Sequence, residues 1–175
     1  MSPPGAPGPR LRRLERDLAE LRAAAGRAEL AFEANGAPPE RYVVTVEVVG
    51  LARGQEGEPV IRRIHRFEAY LPVDYPRRAP LLRWLTPVFH PNILPPDRNG
   101  GVCIGSWSPS ESLADLSRRL ATMVAWRSFS LDDVLDKDAA AWARAVQARQ
   151  GDAPADLLER AAIPSIVPAE PGACD

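Results

Sequence analysis

The chain has 175 residues, a formal net charge of −1, and 45% hydrophobic against 26% charged residues. Those totals suit one soluble domain with one core and leave no global basic field to draw nucleic acid. No run of about 18 apolar residues offers a membrane span, MSPPGAPGPR lacks the apolar segment of a secretory signal, and two cysteines make no disulfide framework, so a cytoplasmic protein with free thiols is expected.

Residues 1–9 are rich in proline and glycine and are expected to be disordered. From Arg10 the pattern turns helical. Leu11, Leu14, Leu18 and Leu21 recur at three- and four-residue spacing, with Arg12, Arg13, Arg16 and Glu20 on the other face. Ala-rich sequence predicts that this helix runs to about Ala34, where NGAPPE stops it. RYVVTVEVVGL (41–51), VIRRIHRFEAYLP (60–72) and LLRWLTP (81–87) read as strands from their β-branched content and alternation. Short connections make them an antiparallel meander. Residues 88–112 show no period. A helix is predicted over 113–126, capped by Ser112 or Ser110, and another over 136–150. The prolines of IPSIVPAEPGACD end helical structure. The order is that of an α+β domain.

The segment VFHPNILPPDRNGGVCIGSWSP (88–109) concentrates the chemistry. Mid-chain Cys103 follows a glycine pair, where backbone can open toward a partner. Three readings compete. A buried thiol would be a small hydrophobe. A cysteine hydrolase would use His90 as base and Asn92 as orienter, although His90 sits in a proline-rigid turn and His65 lies mid-strand. Transthiolation needs no strong base, because the incoming thioester is already activated. Positioning, an amide donor and a nearby carboxylate suffice there. Two histidines and two distant cysteines match no zinc spacing, so no metal or cofactor is expected.

The ordered set FEAYLPVDYPRRAPLLRWLTPVFHPNI…GGVCIGSWSP resembles the ubiquitin-conjugating enzyme family. The likeness covers about residues 10–148. It implies that family's fold over 10–150: an N-terminal helix, a four-stranded antiparallel meander, an active-site loop and C-terminal helices. Residues 151–175 would be a partly disordered extension. Under the resemblance LLRWLTP is the fourth strand, Tyr75 and Pro76 belong to the turn before it, and PVIRRIHRFEAYLP splits into one strand and the edge of a second. Cys103 would carry a ubiquitin-like modifier as a thioester and pass it to a target amine. Asn92 would support the oxyanion or the active-site loop, and His90 and Pro91 would shape the turn. SFSLDDVL resembles the family's acidic gate, with Asp133 the best match and Asp132 second. Capping of the helix from Asp136 is the competing role for those acids. The silent alternative is a binding module of the same fold.

The implied partners are a modifier, an adenylating activating enzyme and a target protein, with neither nucleic acid nor membrane. Arg12, Arg13 and Arg16 would meet the activating enzyme. Arg77 stands where members that dock RING-type ligases commonly have a large apolar residue, so the resemblance does not extend to that partner. The Asn92–Cys103 interval is longer than the family's usual spacing and Cys103–Trp107 is shorter. Lys137 is the sole lysine; a biased base composition explains this, as does avoidance of self-modification. The Ala/Arg/Pro-rich composition resembles that of a high-GC bacterium, and bacterial members of the family are associated with antiviral defence against phage.

Overall fold

The computed structural model describes residues 7–25, 29–150 and 153–162. Helix α1 (Pro9–Ala25) forms where the leucine spacing predicts, with Leu14 and Leu21 buried. It ends short of Ala34, because residues 30–34 belong to strand β1 (Leu30–Gly36). Ala, Leu and Glu favour helix in this stretch, but tertiary pairing overrides them. Glu29 adopts a left-handed φ of 67°, Leu30, Phe32 and Ala34 alternate with exposed neighbours, and the whole segment pairs with β2 (Pro39–Arg53). NGAPPE is therefore a hairpin turn between strands and not the stop of a helix.

Strands β3 (Pro59–Tyr70) and β4 (Leu81–Trp84) complete a four-stranded antiparallel sheet in the order β1-β2-β3-β4. PVIRRIHRFEAYLP is thus one strand, and the expected fourth member lies on the N-terminal side of the meander. One sheet face, carrying Tyr42, Val44, Val46, Phe67, Ala69 and Trp84, packs on α1 and on α2 (Leu113–Val124) through Leu113, Leu116 and Leu120. Of the two candidate caps, Ser112 starts α2, in a reciprocal box with Asp115. Helices α3 (Lys137–Gln150) and α4 (Pro154–Ala162) follow.

A second apolar cluster joins Leu51, Phe89, Trp126, Ala139, Ala143 and Leu158. Helix α4 contributes Leu158 to it, so part of the extension expected at 151–175 is ordered and packed. Residues 163–175, with Cys174, and residues 1–6 lie outside the described residues. No described helix is long and apolar enough to cross a membrane.

Candidate active site

After β4 the chain follows an irregular but bonded track to Cys103. Ile93 bridges both His90 and Val102. The Leu94 amide donates to the Gly101 carbonyl at 2.8 Å, and a single 3-10 turn spans Pro96–Arg98. Gly100 has a φ of +68°, and a Cβ there would lie 2.4 Å from the Trp84 carbonyl oxygen, so only glycine fits. Its own carbonyl accepts from the Trp84 amide at 2.7 Å. The long interval ILPPDRNGGV is therefore a closed excursion pinned to the end of β4. It returns the chain to its start, where the Cys103 amide donates to the Asn92 carbonyl at 2.9 Å. Cys103 is a half-buried free thiol.

The His90-Pro91-Asn92 turn clamps the acidic loop. The buried Asn92 amide donates from Nδ2 to the carbonyls of Ser130 (2.9 Å) and Asp133 (2.8 Å) and accepts the Ser130 amide at Oδ1 (2.8 Å). The Pro91 carbonyl accepts the amides of Leu135 and Asp136 at 2.8 and 3.0 Å. His90 is wholly buried, and its Nδ1 accepts the Asn92 amide at 3.1 Å. Burial pushes its pKa down to about 3, against the weaker pull of the Met123 carbonyl. The ring packs 5.0 Å from Trp126. This histidine is a neutral part of the turn and is not available as the base a hydrolase needs. Asp132 and Asp133 are exposed, and their backbone amides both donate to Ser130 Oγ at 3.2 Å. The helix cap expected of this acidic cluster is Asp136, whose Oδ1 accepts the amides of Asp138 and Ala139. The Asp133 carboxylate is thus not occupied by capping.

The segment following Cys103 is held from α2. Arg119 donates from Nη1 to the carbonyls of Ile104 (2.7 Å) and Ser106 (3.2 Å), while its Nε and Nη2 grip both oxygens of Glu111. Trp107 packs against Tyr75 and donates from Nε1 to the Pro76 carbonyl at 2.8 Å, bringing the WSP and DYP segments together.

The basic face of α1 divides. Arg12 and Arg16 are exposed, with Arg16 paired to Glu20 at 2.6 Å. Arg13 turns inward: its side chain is 9% exposed, and it pairs at 2.8 Å with the buried Asp17. It also donates to Tyr75 Oη at 2.8 Å and to the carbonyls of Pro109 and Glu111. Asp17 in turn accepts the Tyr75 hydroxyl at 2.6 Å and the Leu113 amide at 3.0 Å. Expecting Arg13 on the docking face overlooked that a carboxylate four residues along points to the core. Arg119, Arg98, Asp136 and Asp17 escaped the sequence reading; only the i, i+4 spacing of Arg13 and Asp17 was a local signal.

Among the described residues these features define an α+β protein with one half-buried free cysteine, an acidic loop clamped by the Asn92 turn to which the cysteine amide bonds, and no metal-binding cluster. Residues 19–150 match the family model for ubiquitin-conjugating enzymes, and the chain belongs to that family. It is 41% identical over 73 residues to ubiquitin-conjugating enzyme E2 13 of Saccharomyces cerevisiae, covering 39% of this chain and 42% of that protein. It is 34% identical over 80 residues to ubiquitin-conjugating enzyme E2 N of Drosophila melanogaster, covering 43% and 50%. The chain therefore spans half or less of the length of these relatives. A solved structure of a novel ubiquitin-conjugating enzyme shares the fold, with a TM-score of 0.60 over 87% of this chain and 94% of that one, at 16% identity.

Proposed function

We propose that the protein is a conjugating enzyme for a ubiquitin-like modifier. The Cys103 thiolate attacks the thioester carbonyl of a modifier held by an activating enzyme, and that enzyme's thiolate leaves. A target amine then attacks the new thioester. The C–N bond forms, the Cys103 thiolate departs, and the amine proton passes to water or to the Asp133 carboxylate. The observation that carries this reading is the placement of a free thiol on a rigid track whose other end, Asn92, fixes the acidic loop. With His90 buried and neutral, the site is suited to an acyl group that arrives already activated. Exposed Arg12 and Arg16 offer the activating enzyme a basic helix face. A bacterial antiphage pathway is the biological setting we favour, from the composition and the family resemblance, in the cytoplasm.

Incubation with a cognate activating enzyme, modifier and ATP is expected to give a thiol-reducible adduct on the wild-type protein and none on Cys103→Ala. The same reducible adduct on Cys103→Ala would refute the nucleophile, and no adduct on wild type would leave the silent binding module as the better reading.

A further inference from the structure

The longer Asn92–Cys103 interval carries Arg98, and Arg98 reaches out of the excursion. Its Nη1 donates to Oδ2 of Asp136 at 3.0 Å. Asp136 is buried, and it also accepts Arg53 Nη2 on both oxygens, at 3.2 and 3.0 Å, and the first amides of α3. Arg53 comes from the end of β2, stacks over Phe89 and pairs with Asp138, so it secures α3 to the sheet. Arg98 makes a different connection. It ties the track that ends in Cys103 to the end of the acidic loop, three residues beyond Asp133.

We propose that Arg98 is a positioning residue for transfer from Cys103 to the amine, an inference that rests on the function proposed above. The acidic loop is then held to the cysteine track by a turn and by a side chain. The Pro91–Asn92 turn grips it at Ser130, Asp133 and the amides of Leu135 and Asp136, and Arg98 adds a grip on the Asp136 carboxylate. The excursion is stiff enough to serve, because Gly100 is locked against Trp84 and the Pro96–Arg98 turn is closed by the Arg98 amide on the Pro95 carbonyl at 3.0 Å. Arg98 is 45% exposed at its side chain, and Asp136 keeps Arg53 and two amides without it. Its removal therefore loosens the loop while the fold persists. A displacement of about 1 Å at a reacting group is enough to slow a reaction markedly.

The test starts from enzyme already loaded with modifier and follows single-turnover transfer to free lysine. Arg98→Ala is expected to slow transfer about fivefold to tenfold, and Arg98→Lys to recover part of the rate through a single donor. Because Arg98 acts through the acidic loop, Arg98→Ala combined with Asp133→Ala should be no slower than Asp133→Ala alone. Amide hydrogen exchange at Leu135 and Asp136, both bonded to the Pro91 carbonyl, should quicken in Arg98→Ala. A wild-type transfer rate in Arg98→Ala, or losses that multiply in the double variant, would overturn this role alone. A wild-type protein that takes up no modifier would overturn the function and this role with it.

Discussion

Asn92 has two amide hydrogens, and both are used, one on the Ser130 carbonyl and one on that of Asp133. No donor remains for an oxyanion, so of the two roles the family resemblance offers, loop-holding fits this geometry. Loss of a direct oxyanion donor costs about 2.7–4 kcal/mol in the barrier. Asn92→Ala is expected to cost less, roughly tenfold in transfer rate, and to destabilise the fold by about 1–3 kcal/mol through three backbone groups left unpaired. Asp133→Ala differs. An acid that orients an amine or takes its proton matters most while the amine is protonated, so raising the pH should partly rescue Asp133→Ala and leave Asn92→Ala slow. Transfer rates of loaded enzyme at several pH values decide this. Wild-type rates for Asp133→Ala at every pH would remove its role, since Asp136 already caps α3. The sequence displayed Cys103, His90 and Asn92 because they fall within one short motif. It hid Arg98, Arg119 and Asp136, because each works through a partner brought near only by folding.

Helix α1 has two unlike faces. Its inner face carries the Arg13–Asp17–Tyr75 network, which ties the helix to the DYP turn and to the first amide of α2. Its outer face carries Arg12 and Arg16. Reversing Arg12 and Arg16 to Glu is expected to slow loading of Cys103, most at low salt, with a stability change within about 0.5 kcal/mol. Arg13→Ala should instead destabilise by about 3 kcal/mol, because it strands a buried carboxylate. Urea unfolding beside loading kinetics separates the two faces; loading rates unaffected by the double reversal would remove the docking role. The leucine period revealed the helix but not this division, since a buried Asp17 reads as polar in any periodicity count. The same limit misread β1. Its helix-favouring residues become a strand only through pairing with β2, although the alternation of Leu30, Phe32 and Ala34 was present in the sequence.

At the scale of the whole molecule, composition predicts one core, and the described residues form two apolar clusters, each with a histidine in or against it. His65 lies against Trp84 on the sheet, and His90 against Trp126 above α3. The second cluster was not legible in advance, since it forms only when α3, α4 and the loop through Phe129 close over Leu51 and Phe89. Burial holds both rings neutral, pushing His65 down to about 4 and His90 to about 3. In the unfolded chain each binds a proton near pH 6.5. Above that pH neither state takes up a proton and the full stability is present. Below it the unfolded chain takes up protons that the folded protein refuses until its own lower values, so stability falls as pH falls. Each histidine contributes a slope approaching about 1.4 kcal/mol per pH unit, and the pair about 2.7, over the window from about pH 6 to 4.5. Urea midpoints measured between pH 7 and 4.5 should show this decline before most carboxylates titrate. His65→Gln, which keeps a donor for the Arg62 carbonyl that His65 Nε2 meets at 3.0 Å, should roughly halve the slope, whatever its effect on stability at pH 7. A wild-type midpoint that stays level across the window would mean that the folded protein protonates these rings as readily as the unfolded chain does, and the two clusters would then not be closed around them.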